Sequence, residues 1–204
     1  MTKVLTADER GIREAAEIVR KDGVIAYPTE TVFGLGCNPF SGEALARLIN
    51  VKGGREKPLP VLVRDAHVAE RLAFLNDMAR RLADAFWPGP LTMVLPLKRK
   101  VPPNLTAGRN TVGLRAPKHH LALNLLDKVE GFLVGTSANL TGGPPCTSHQ
   151  AVVRVFGDRV DAVIEGKSGS NHSSTVVEIH EKDFAILREG PITQLMVRKI
   201  LAGQ

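Results

Sequence analysis

Short apolar runs alternate with helix-period segments along the whole 204-residue chain, and this alternation constrains the fold more than any other feature. Runs such as Val24-Ile25-Ala26 have the length of a buried strand and are too short for a buried helix. Strands are expected at 24–27, 59–63, 91–97, 112–116, 132–136, 160–164, 175–179 and 184–188. Between them Thr6-Ala7-Asp8-Glu9 reads as a capping box, after which Ile12, Ala15, Ala16 and Val19 recur at helical spacing and Gly23 closes the helix. Further helices are expected at 41–50, 66–73, 77–86, 120–128 and 148–156, and from Pro191 onward. Trp87-Pro88-Gly89-Pro90 ends one of them abruptly, and the polar, proline-bearing stretch 98–110 reads as a long surface loop. Intermixed strands and helices predict an α/β sheet with helices packed on it. The alternation is irregular after residue 158, which argues against a purely doubly wound order.

Length suits one domain, 1–204, able to bury a core without staples. Aromatic residues are sparse (seven Phe, one Trp, one Tyr), which disfavours base-stacking platforms for single-stranded nucleic acid. The net charge of +6 suits either a nucleic-acid or polyphosphate ligand or a basic surface with no specific partner. Cys37 and Cys146 make neither a disulfide framework nor a zinc quartet and are expected as reduced thiols. The first residues lack a signal-peptide apolar core, and no apolar run approaches the ~18 residues of a membrane span. A cytoplasmic protein without a membrane segment is the expectation.

No P-loop or H-E-x-x-H occurs, and Gly34-Leu35-Gly36 fails the dinucleotide fingerprint because position 39, where a third glycine belongs, is Pro. His119-His120 is an adjacent pair whose side chains are not expected to converge. Gly135-Thr136-Ser137-Ala138-Asn139 falls short of a nucleophile elbow, with asparagine in place of the last glycine. Other clusters have the chemistry of polar-ligand sites. Lys52, Arg55 and Lys57 lie in a glycine-bearing turn before a strand, where cations can grip phosphates, although a solvated turn explains a lone K-G-G-R equally well. Thr136, Ser137 and Asn139 follow the apolar 132–134 run, at the kind of strand end where α/β folds bind ligands; local turn hydrogen bonding is the alternative. Ser173, Ser174 and Thr175 open another strand. Arg115, inside an apolar strand, must be paired or edge-exposed, by a ligand carboxylate or by an acid of the fold. Arg188 alone is an ordinary strand-end residue.

Taken in order, GVIAYPTETVFGLGCNP, VKGGREKPLPVLV, WPGPLTMVLP, TVGLRAP, VGTSANLTGGPP, SSTVVEI and ILREG resemble the YrdC/TsaC family of threonylcarbamoyl-AMP synthases, over about residues 9–190. The resemblance implies a twisted, open mixed sheet with flanking helices around a deep basic cavity. It implies synthesis of threonylcarbamoyl-AMP and pyrophosphate from L-threonine, bicarbonate and ATP. The product would pass to tRNA threonylcarbamoyl-transfer proteins that modify adenosine next to the anticodon. It further implies a threonine pocket of Thr29, Arg115, Ser137 and Ser174, with Gly34 and Gly36 letting backbone pass close to it. The implied nucleotide side comprises Lys52, Arg55, Lys57, Thr111, Asn139, Thr147 and Arg188. Mg²⁺ would be carried with ATP, with no metal site of the protein's own. The chain's end near residue 204 suggests the short form of the family. Lys52-Gly53-Gly54-Arg55 departs from the family's usual K-x-R, setting the arginine one residue late. A diverged paralogue that binds double-stranded RNA without this activity is the alternative reading.

Overall fold

A computed structural model describes residues 2–54, 57–169 and 172–203. In chain order its elements are β1 (Lys3–Leu5), α1 (Glu9–Arg20), β2 (Ile25–Tyr27), β3 (Gly34–Gly36), α2 (Gly42–Val51), β4 (Val61–Val63), α3 (Ala66–Ala69), α4 (Asp77–Phe86), β5 (Leu91–Pro96) and α5 (Pro103–Thr106). They continue with β6 (Thr111–Arg115), α6 (His120–Lys128), β7 (Phe132–Val134), β8 (Thr136–Ser137), α7 (His149–Phe156), a 3-10 turn at Gly157–Arg159, β9 (Ala162–Ile164), β10 (Thr175–Ile179), β11 (Phe184–Arg188) and α8 (Gln194–Ala202).

The strands form two mixed sheets. The first runs β1-β9-β2-β3-β8, and the second β11-β10-β5-β6-β4-β7. In the first, β2 lies parallel to β9 and antiparallel to β3. In the second, β5 is parallel to β10 and antiparallel to β6, and β6 is parallel to β4. The amphipathic stripe of α1 explains one face of the first sheet. Ile12, Ala15, Ala16 and Val19 pack with Leu121, Leu125 and Leu126 of α6 over Ile25, Ala162 and Ile164. The main core joins the second sheet to α2, α4 and α7 through residues such as Leu45, Leu48, Leu82, Met93, Leu114 and Val152. Burial of these apolar surfaces is the dominant stabilising term.

Several local expectations change. Asp8, not Thr6, caps α1: its carboxylate accepts from the Gly11 amide at 2.9 Å, and the Thr6 hydroxyl donates to Asp8 instead. The helix expected over 66–73 stops at Ala69. The loop expected over 98–110 contains α5, whose Leu105 is buried and accepts a hydrogen bond from the Leu59 amide. The strand expected over 132–136 is two strands in two sheets. Phe132–Val134 pairs with β4, and Thr136–Ser137 pairs with β3. Gly135 is the crossing point, where a Cβ would stand 2.5 Å from Leu62 Cγ. Only a residue without a side chain lets the chain pass between sheets so close to Leu62.

Candidate functional site

The pleat of the second sheet separates core from cavity. Along β5, Leu91, Met93 and Leu95 enter the core, whereas Thr92 and Val94 line a cavity. Along β6, Val112 and Leu114 are core residues, whereas Thr111, Gly113 and Arg115 face that cavity. A side-chain period of two thus gives one strand an apolar face and a polar one. The first sheet supplies another wall through Tyr27, Gly34, Thr136 and Ser137. The enclosed volume is about 340 Å³. Its described lining holds four cationic side chains, Lys57, Arg109, Arg115 and Arg188, and no carboxylate. A larger depression, about 690 Å³, runs along α1, but apart from Ile18 its lining is charged residues of both signs, and it contains none of the expected site residues.

Arg115 is 7% exposed and paired in the way a buried guanidinium must be. Its Nε donates to the Gly89 carbonyl at 3.1 Å, and Nη2 donates to Thr31 Oγ1 at 3.0 Å. Glu30 Oε1 lies 2.6 Å from Nη2. This contact is an ion pair lying off the hydrogen-bond direction, so neither Glu30 oxygen accepts a hydrogen bond although both are buried. Of the alternatives left open by the sequence, an acid of the fold therefore pairs Arg115, and Nη1 carries no described contact. Thr29 Oγ1 donates to the Val32 carbonyl at 2.7 Å and accepts from the Thr31 amide, which fixes the turn that presents both threonines to the cavity.

Ser137 and Ser174 line the same space. Ser137 Oγ donates to Asn139 Oδ1 at 2.6 Å. Ser174 Oγ lies 2.8 Å from Thr92 Oγ1 and accepts from Arg188 Nη2 at 3.1 Å. Arg188 also donates through Nε and Nη2 to the Ser174 carbonyl, so the wall around Ser174 and the arginine move as a unit. Lys57, Thr111 and Arg188 complete the nucleotide-side residues that reach the lining.

The other expected residues sit elsewhere. Lys52 is not on a loose turn: it is 1% exposed, and its Nζ donates to the carbonyls of Ser137 at 2.7 Å and Asn139 at 2.9 Å. Its ammonium braces the loop that carries Ser137. Asn139 spends its amide on the carbonyls of Leu140 and Gly143, and neither it nor the exposed Thr147 belongs to the lining. Arg55 lies outside the described residues. Gly34 and Gly36 serve the core as much as the cavity: a Cβ on either would stand 2.9 Å or 2.7 Å from the Tyr27 ring. That ring is fully buried, its hydroxyl donates to the Val134 carbonyl, and burial pushes its acidity far out of reach. His119 and His120 do converge, with rings stacked at 5.2 Å between centroids. Burial first, then the neighbouring His120, lowers the His119 pKa, against a smaller opposing effect of Glu30.

Cys37 and Cys146 are free, buried thiols. Burial pushes Cys37 up to about 12 and raises Cys146 as well, so neither has the thiolate character of a nucleophile. Among the described residues no group of three His, Cys, Asp or Glu could hold a metal ion, and no helix is long and apolar enough to cross a membrane. Sequence reasoning missed Thr31, Thr92 and Arg109 as cavity residues. The signal available for Thr92 and Thr31 was a polar residue at an alternating position beside an apolar strand. For Arg109 no local signal existed.

Residues 17–190 match the family model described as telomere recombination, Sua5/YciO/YrdC. A threonylcarbamoyl-AMP synthase of Pyrococcus abyssi is 35% identical over 208 residues, covering 98% of this chain and 61% of that protein. One of Halorhodospira halophila is 39% identical over 168 residues, covering 81% of this chain and 88% of that protein. The crystal structure of P. abyssi Sua5 complexed with L-threonine has a TM-score of 0.92 at 34% identity, over 98% of this chain and 61% of that one. The chain thus spans about three-fifths of the Pyrococcus protein and most of the Halorhodospira one.

Proposed function

The chain belongs to the Sua5/YciO/YrdC family, and from that premise we propose that it is an enzyme making threonylcarbamoyl-AMP and pyrophosphate from L-threonine, bicarbonate and ATP. One observation carries the reading. Arg115, a buried guanidinium with an unengaged Nη1, faces a cavity ringed by the hydroxyls of Thr29, Thr31, Ser137 and Ser174. That set suits a small hydroxy amino acid: a carboxylate for the arginine and a hydroxyl for the ring of hydroxyls.

The chemistry needs no covalent link to the protein. Threonine's amine attacks the carbon of bicarbonate and water leaves, giving a carbamate. A carbamate oxygen then attacks the α-phosphorus of ATP, and pyrophosphate departs with the bonding electrons. The adenylyl group passes to the carbamate, so the step is a nucleotidyl transfer. The protein contributes position and charge. Arg115 and the hydroxyls fix the amino acid, while Lys57 and Arg188 face the phosphates. Lys52 acts by holding the Ser137 and Asn139 carbonyls in place. Mg²⁺ would enter as part of the ATP substrate; the described lining supplies cations and hydroxyls for the triphosphate. The product is suited to transfer onto tRNA adenosine by partner proteins, and a cytoplasmic reaction is part of the proposal. The test is incubation with carbon-13-labelled bicarbonate, threonine and ATP. A threonylcarbamoyl adenylate carrying the heavy carbon is expected, and ATP consumption without incorporation of label contradicts the proposal.

A further inference from the structure

Six residues before Arg115 on the same chain stands Arg109, which also lines the cavity and which the reading above leaves without a role. We propose that Arg109, together with Lys57, forms a clamp for the β- and γ-phosphates of ATP and for the pyrophosphate that leaves. The inference rests on the synthase reading of the same cavity.

Register places the two cations together. β4 and β6 run parallel, with Val61 beside Leu114 and Leu62 beside Arg115. Lys57 lies four residues before β4 and Arg109 two residues before β6, so both precede parallel strands on the same side, whereas Arg115 closes β6 at its other end. An extended chain spans at most roughly 20 Å over six residues, which bounds the distance between the two arginines; in the proposed complex the amino acid sits at Arg115 and the triphosphate toward Arg109. The middle of that path is kept low by Gly113, between Arg115 and Thr111 on the cavity face of β6.

The chemistry fixes which part of the nucleotide reaches Arg109. In phosphoryl transfer the attacking and leaving oxygens lie roughly in line. With the amino acid on Arg115, the carbamate attacks from that end, so pyrophosphate leaves toward the opposite one. Charge accumulates there as the bond breaks, and a guanidinium fork is suited to receive it.

Arg109 is available for this work. Arg115 is held by Glu30, Thr31 and Gly89, and Arg188 by Ser174. Among the described residues the Arg109 guanidinium has no hydrogen bond, ion pair or ring contact. Its backbone is nevertheless fixed: the Arg109 amide donates to Thr106, the Gly108 amide to Pro103, and the Leu97 amide to Asn110. A pinned backbone with an unspent, exposed guanidinium at a cavity wall is a receptor for an anion rather than part of the scaffold.

The test is calorimetric binding of ATP, AMP, inorganic pyrophosphate and threonine to the wild type and to Arg109→Ala, with Arg109→Lys alongside. The exposed position keeps the variants folded, which their melting curves check. Arg109→Ala is expected to weaken ATP and pyrophosphate roughly tenfold, to leave AMP and threonine unchanged, and Arg109→Lys to recover part of the loss. Unchanged ATP and pyrophosphate binding overturns the clamp while leaving the synthase reading in place. An equal loss for AMP overturns it too, because the arginine then serves the nucleoside or α-phosphate. Wild-type protein that binds no ATP overturns the synthase reading itself.

Discussion

Arg115 and Lys52 show opposite outcomes for two cations that the sequence treats alike. A guanidinium inside Val112-Gly113-Leu114 has to be paired, so its involvement in a buried polar site was legible from neighbours alone. Lys52 lies in a glycine-bearing turn, and no local pattern says that its ammonium is fully buried on two carbonyls some 85 residues away. Its place depends on where a distant loop packs. Arg115 also yields a sharp energetic prediction, because Glu30 shares its burial: side-chain exposures are 9% and 19%. Arg115→Met strands a buried carboxylate and is expected to cost about 3–5 kcal/mol in denaturant unfolding. The double variant E30Q/R115M is expected to be more stable than Arg115→Met alone. A double variant that loses the sum of the two single losses rules out coupling between them.

At the scale of elements, most helices and strands were legible from period and punctuation, and their neighbours in the sheets were not. Helix α4 and strands β10 and β11 lie where the apolar spacing puts them. The division of 132–137 between two sheets depends on Gly135 passing Leu62, a contact between segments about 70 residues apart. The same long-range logic reassigns the glycines of β3. In the antiparallel pair β2–β3, Tyr27 sits opposite Gly34, and the ring fills the space of the missing side chains. Gly36→Ala would place a Cβ 2.7 Å from both the Tyr27 ring and the Val134 carbonyl, and the backbone oxygen cannot yield. A loss of roughly 1–3 kcal/mol in unfolding free energy is expected; a neutral substitution contradicts the packing described for Tyr27. Just before α6, His119 makes a pH prediction. Burial and the stacked His120 lower its pKa from the ordinary 6.5, with Glu30 opposing. The unfolded chain then takes up the proton first as pH falls. The stability that neutral His119 provides is therefore whole above pH 6.5 and is lost as pH drops through the lowered folded value. Melting temperature should fall less steeply below pH 6.5 in His119→Asn than in the wild type. Equal slopes would show that the ring titrates as in the unfolded chain.

For the molecule as a whole, two mixed sheets and two apolar clusters surround a cavity whose described lining includes Arg115, Lys57 and Arg109; in the proposed complex the amino acid sits at Arg115 and the phosphates at the other two. The seven sequence blocks that carried the resemblance converge on it or on the loops that brace it. The order of the chain says nothing of that convergence, since the lining draws on β2, β3, β4, β5, β6, β8, β10 and β11 together. Threonine differs from serine by one methyl, and a cavity walled by Val32, Val94 and Val176 as well as hydroxyls gives that methyl apolar company. A preference for threonine worth roughly 1–3 kcal/mol in kcat/KM is expected, and equal values would contradict the assignment of that wall. The central claim is met most directly by pyrophosphate release from MgATP, with threonine and bicarbonate omitted in turn and the adenylate identified by mass. The account predicts release only when both are present, with the mass of threonylcarbamoyl-AMP. Release that ignores threonine, or none at all while the cavity still binds ATP, would contradict it.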